Sequence, residues 1–161
     1  MAGRARTEER ATALLLTRQP VPTLDADGLE AGAARGGWVA VREQGGRPEL
    51  VVVGTGSETA LAVEAARALG AEGRRVRAVS LPSLEVFLAQ DASYRESVLP
   101  AGVPRLLVEA GVSLGLAPVQ APGDRFHGLA GFGASAPYKE LAKHYGFTAE
   151  RVTALAREML A

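Results

Sequence analysis

Glu49-Leu50-Val51-Val52-Val53-Gly54-Thr55-Gly56-Ser57-Glu58 decides the fold. Its uninterrupted apolar run, mostly β-branched, reads as a strand buried on both faces, and such strands belong in the middle of a sheet. The run passes directly into a Gly-containing turn in which Thr55-x-x-Glu58 has the spacing of a capping box. Leu61, Ala65, Ala68 and Leu69 then fall on one helical face before Gly70. Strand, turn and helix in that order are the first half of a parallel crossover unit.

Downstream, residues 75–81 predict another strand, Pro82-Ser83 opens a short helix, and Ser93-x-x-Glu96 caps a further helix that Pro100 closes. Residues 105–109 supply a third parallel strand. The alternation predicts an α/β fold: three α/β/α layers around a mostly parallel sheet of about five strands with right-handed crossovers. Upstream, Trp38-Val39-Ala40-Val41-Arg42 reaches the central strand through Gln44-Gly45-Gly46-Arg47, a connection of hairpin length, which points to one antiparallel edge strand. Residues 25–37 are rich in Gly, Ala and acid without a period and read as a linker. Residues 12–16 read as a strand buried on both faces, which Pro20 and Pro22 end. The chain therefore divides into an N-terminal segment, 1–35, and a domain proper, 36–161. Residues 111–131 carry no periodicity. Beyond them Phe132-Gly133-Ala134-Ser135-Ala136-Pro137 reads as the entrance to a helix over 138–145. Thr148 caps a last helix whose Val152, Leu155, Ala156, Met159 and Leu160 form a packing seam.

A chain of 161 residues, 47% apolar, suits one core. Zero formal charge with scattered Arg excludes the basic tracts that bind nucleic acid or anionic membrane. Without cysteine, a long apolar run or a signal pattern behind the charged start Arg4 to Arg10, a soluble cytoplasmic protein is the expectation. The sequence lacks Asn and Ile and has only Lys139 and Lys143 as lysines, a bias better attributed to a GC-rich genome than to heat adaptation.

Few residues offer chemistry. Gly54, Thr55, Gly56 and Ser57 lie between a strand and a helix, where amides and the helix dipole can receive an anion. Glu58 opposes a phosphate there, and neither the third Gly of a dinucleotide fingerprint nor a Walker Lys is present, so helix capping is preferred. His127 and His144 have no partner at metal spacing, which argues against a protein metal site. The serines form no nucleophile elbow, which leaves no catalytic residue. Glu109 ends a buried strand, where hydrogen bonding to a neighbouring loop is favoured over a binding role.

Several segments, taken in order, carry a resemblance: Ala13-Leu14-Leu15-Leu16-Thr17-Arg18-Gln19, Gly54 to Glu58, Val79-Ser80-Leu81-Pro82-Ser83, Tyr94-Arg95-Glu96-Ser97-Val98-Leu99-Pro100, Val108-Glu109-Ala110-Gly111 and Phe132 to Pro137. From about residue 12 onward the chain resembles the C-terminal domain of transketolase. Thr-Arg-Gln followed by Phe-Gly-x-Ser-Ala-Pro favours that family over deoxyxylulose-phosphate synthase or the pyruvate dehydrogenase beta subunit.

The resemblance implies a part of a homodimeric, three-domain enzyme that moves a two-carbon ketol unit between sugar phosphates of the pentose phosphate pathway. Thiamine diphosphate supplies the carbanion chemistry in that family. Its diphosphate and a divalent metal, Mg or Ca, are held by a Gly-Asp-Gly segment followed by Asn in the first domain, and its aminopyrimidine by a Glu of the middle domain. Here Gly123-Asp124 is followed by Arg125 and there is no Asn. The implied chain binds no cofactor alone, is inactive alone, and has the cofactor-binding and middle domains of transketolase as partners. Arg18 matches the family Arg that contacts the substrate phosphate in the intact enzyme. The polar start leading directly into that motif points to a fragment, a truncated reading frame or a split gene. A stand-alone regulatory or ligand-binding module of the same fold is the alternative reading.

Overall fold

Leu50–Gly54 forms β2, and every residue of it is buried. The structure is a computed structural model that describes residues 13, 15–17, 19–24 and 28–161. β2 is the centre of a five-stranded sheet of order β1-β3-β2-β4-β5, with β1 at Trp38–Val41, β3 at Val76–Ser80, β4 at Arg105–Val108 and β5 at Arg125–His127. β2 pairs in parallel with β3 and β4, β4 in parallel with β5, and β1 runs antiparallel to β3.

Strand alternation sorts the core into two halves. Leu50, Val52, Val76, Ala78, Leu106 and Val108 face the layer of α2 (Thr59–Ala71) and α6 (Ala149–Met159). Val51, Val53, Val79 and Leu107 face α3 (Leu84–Leu88), α4 (Ala92–Val98) and a 3-10 helix at Ser113–Val119. The three-layer α/β/α architecture with one antiparallel edge strand is the one expected. The α6 seam packs as expected too: Val152, Leu155 and Ala156 are buried, and Met159 and Leu160 close its margin.

Other expectations are corrected. β1 pairs with β3, not with the strand that follows it. Both flanks of the fully buried β2 are taken by parallel partners, whereas the half-buried β1 suits an edge. The presumed linker contains α1 (Leu29–Ala34), built from good helix formers and closed against Trp38 at Gly32, where a Cβ would come within 2.3 Å of the Trp38 Cβ. Residues 13 and 15–17 form no strand, and Leu15 and Leu16 are 92% and 85% exposed, because they pair with no strand among the described residues. On α2 the buried face is Ala62, Val63, Ala65, Ala66 and Leu69, while Ala68 is exposed and Leu61 half-buried. A 3-10 helix at Gly56–Glu58 precedes α2, and its tighter winding rotates the face.

Asp91, not Ser93, caps α4: its Oδ1 accepts the Tyr94 N–H at 2.8 Å and the Ser93 hydroxyl at 2.5 Å. Thr148 does cap α6, accepting the Arg151 N–H at 3.3 Å. α5 spans Tyr138–Tyr145. The stretch without periodicity holds β5, too short for a period to show.

Among the described residues one ion pair is buried. The Arg77 and Glu43 side chains are 7% and 5% exposed and meet through two hydrogen bonds of 2.7 and 2.6 Å. Burial pushes the Glu43 carboxyl up, but the Arg77 hydrogen bonds and charge outweigh it and hold the group below the ordinary glutamate value. Arg77 also donates to the carbonyls of Ser97 and Val98 at 2.7 and 3.1 Å, closing the C-terminus of α4. Replacing Arg77 by Met strands a buried carboxylate, so a loss of about 3–5 kcal/mol is expected from urea unfolding. The double variant Arg77→Met/Glu43→Leu is expected to recover a substantial part of it.

Candidate functional site at the carboxyl edge of the sheet

The strand order reverses between β2 and β4: the chain leaves β2 for β3 on one side and returns to β4 on the other. In open α/β sheets this switch point is the usual ligand crevice. Three pieces meet at this edge: the Gly54–Glu58 turn, the Glu109–Gly111 turn, and His127 with Gly128.

The first turn is built for closeness. A Cβ on Gly54 would lie 2.6 Å from the Thr59 Cα, so only glycine lets α2 begin against the strand end. The Gly54 carbonyl accepts the Leu81 N–H at 3.1 Å and the Thr59 hydroxyl at 3.2 Å. The expected capping box is absent: Thr55 makes no side-chain cap, and its Oγ1 is buried without a partner among the described residues. Instead Ser57 Oγ donates to Glu58 Oε1 at 2.6 Å. The side chain of Glu58 turns inward to 8% exposure rather than back to the strand end.

The second turn brings another carboxylate. Burial and then the charge of Glu58 push the Glu109 carboxyl above its ordinary value. Its backbone N–H donates to the His127 carbonyl at 3.1 Å. His127 Nε2–H donates to the Gly146 carbonyl at 2.9 Å, and its ring lies 4.8 Å from that of Phe147, so the histidine joins β5 to the α5–α6 corner. His144 sits in the last turn of α5 with its ring edge-on to Tyr145, as a helix C-terminus favours.

Among the described residues, the two carboxylates and the committed histidine that meet at this edge do not assemble a phosphate cradle. Among the described residues no group of three His, Cys, Asp or Glu is placed to hold a metal. Asp124 of the lone Gly-Asp pair spends both carboxylate oxygens on the N–H groups of Arg105 and Ala121, each at 2.9 Å. The donors present therefore do not fit a thiamine diphosphate group with its metal. Arg18 lies outside the described residues.

The same edge is conspicuously apolar on its outside. Phe132 is fully exposed, and Leu114, Val112 and Tyr138 are 79%, 58% and 51% exposed. The Leu129 N–H bonds the Gly111 carbonyl at 2.8 Å and so holds the two loops together. Phe132 was visible in its Gly-rich motif, whereas Leu114 lay in a stretch without periodicity. No helix among the described residues is long and apolar enough to cross a membrane.

Compared with known families, residues 36–148 match the model described as the transketolase-like TK C-terminal domain. The chain belongs to that family. Transketolase 2 of Aliivibrio fischeri is 43% identical over 152 residues, which is 93% of this chain and 23% of that one. The transketolase of Leishmania mexicana superposes with a TM-score of 0.72 at 45% identity, covering 81% of this chain and 18% of that one. A Pichia stipitis transketolase, solved with sedoheptulose 7-phosphate, superposes at 0.77 with 36% identity, over 89% and 20% of the two chains. The chain thus spans less than a quarter of the length of these relatives.

In this transketolase C-terminal domain the raised carboxyl of Glu109 has a stability consequence of defined sign. The folded state holds its proton to higher pH than the unfolded state does, so ionisation above the folded value opposes folding and protonation below it removes the penalty. Glu109→Gln is expected to be more stable than wild type at pH 8, with the difference shrinking as pH falls toward 4; thermal unfolding across that range measures it.

Proposed function

We propose that this chain serves as the C-terminal domain of a transketolase, with a structural and interface role, and that ketol transfer between sugar phosphates requires cofactor-binding and middle domains from elsewhere. The boundary between its N-terminal segment and the domain proper falls between residues 35 and 36. The observation that carries the reading is the family match combined with two apolar surfaces that nothing in the described chain covers, Leu15 with Leu16 and Phe132 with Leu114. Exposed patches of this kind mark interaction sites. Leu15 and Leu16 then pack on the middle domain, and the loops at the carboxyl edge of the sheet contribute to the assembled homodimer in the cytoplasm. The Gly54–Ser57 turn serves as a helix entrance. Thiamine diphosphate and its Mg or Ca ion belong to the partner domains.

Arg18 has a role only in the assembly. A guanidinium presents paired donors to phosphate oxygens, and one such contact contributes about 1.5–3 kcal/mol, short of the roughly 4 kcal/mol that millimolar affinity needs.

The test mixes this chain with a transketolase chain that supplies the first two domains. Alone, the chain is expected to show no ketol transfer; in the complex, activity appears and Arg18→Ala raises KM for the phosphorylated substrate about ten- to hundredfold with a smaller change in kcat. A stable complex without activity would refute the reading. Leu16→Ser and Phe132→Ser are each expected to weaken assembly about tenfold or more in analytical ultracentrifugation.

A further inference from the structure

We infer that the cavity between α1, β1 and α4 is a binding site for a small phosphomonoester, its phosphate seated between Arg35 and Arg42. The cavity measures about 320 Å³, and its walls include Gly32, Arg35, Trp38, Arg42, Tyr94 and Ser97. That volume is at the small end of the range for ligand cavities, which suits a compact metabolite and excludes a dinucleotide.

Charge singles out this place. Elsewhere Arg74 and Arg75 pair with Glu49, Arg125 and Arg151 with Glu158, and Arg157 with Glu72. The side chains of Arg35 and Arg42 make neither a hydrogen bond nor an ion pair among the described residues, yet both residues line one concavity. Of the nearby carboxylates, Glu43 is engaged through both oxygens and Asp91 through one. Asp91 feels the Arg35 charge, but its Oδ1 caps α4. Glu43 feels the Arg42 charge, but both its oxygens are taken by Arg77.

The site is also preorganised. The Arg35 guanidinium lies 4.0 Å from the centre of the Tyr94 ring. That ring is itself fixed, because its hydroxyl donates to the Gly37 carbonyl at 2.7 Å and it packs tilted against Phe87, with ring centres 6.3 Å apart. Gly32 lets α1 close over Trp38, which sets the wall opposite α4. A guanidinium held in place offers its planar donor fork to phosphate without first being ordered.

Trp38 is the sole tryptophan, so its emission reports the cavity directly. The experiment titrates the full chain with glycerol 3-phosphate, inorganic phosphate and, as controls, glycerol and sodium chloride at matched ionic strength. Saturable change is expected with both phosphates and not with the controls. Arg35→Ala and Arg42→Ala are each expected to weaken binding about tenfold or more, with Arg35→Lys intermediate. Arg67→Ala, on the exposed side of α2, should leave it unchanged. Circular dichroism melts show that each variant is folded. Absence of saturation, a response that survives Arg35→Ala/Arg42→Ala, or an equal loss in Arg67→Ala overturns the proposal. So does a pocket closed to phosphate once the other transketolase domains are bound, which would give it to an acidic side chain of that partner. Because the titration uses this chain alone, its failure leaves the assembly reading standing, and failed assembly leaves the titration interpretable.

Discussion

Arg77 and Glu43 hold a charge pair where the fold can least tolerate a lone charge. Arg77 sits on β3 beside Val51 of the central strand, and Arg105 flanks the same Val51 from β4. The two guanidinium groups reach successive carbonyls at the end of α4: Arg77 takes Ser97 and Val98, and Arg105 takes Leu99 at 3.4 Å while also binding the Val119 carbonyl at 2.6 Å. The helix therefore ends against positive charge rather than in water. The crossover from β3 to β4, and with it the right-hand half of the sheet, is fixed by this arrangement. Glu43 neutralises the arginine and anchors the segment after β1 to the same point. A single buried pair thus ties the segment after the edge strand β1, its neighbour β3 and a crossover helix together.

How much of this was legible follows from the kind of signal each element carries. β2 and the seam on α6 announced themselves because continuous apolar runs and three-four spacing have few competing explanations. α1 was hidden because Gly28, Gly32 and Gly36 look like linker composition, whereas the smallness of Gly32 lets Trp38 approach and that of Gly36 admits Ser83 and Phe87. Ser93 imitated a cap because it stands two residues from Asp91 and shares its hydrogen bonds. Leu15 and Leu16 read as buried from their apolar run yet are exposed, because hydrophobicity by itself does not say which surface, if any, covers a segment. The Arg77–Glu43 pair is separated by the whole of α2 in sequence, and no local pattern reveals a contact of that kind. The pairing of Arg35 and Arg42 across one cavity is equally invisible, since it exists only once α1 folds back on β1.

The switch point between β2 and β4, where folds of this type most often bind ligands, is occupied by the domain's own carboxylates and by a histidine tied to a backbone carbonyl. The proposed sites lie outward from it, at the apolar loops and at the arginine-lined cavity on the other side of β1. A fold shared by many chemistries does not dictate which of its edges is used.

The two borders of the sheet have a consequence for how this domain behaves in solution. β1 carries an irregularity between Val39 and Val41, and β5 is only three residues long. Both are poor templates for another strand, because a kinked ladder and a short one each offer few aligned donors and acceptors. A protein with fully exposed phenylalanine and leucine is thereby kept from zipping into ribbons of stacked sheets, and its stickiness is confined to side chains, where association stays reversible and can be exchanged for the right neighbour.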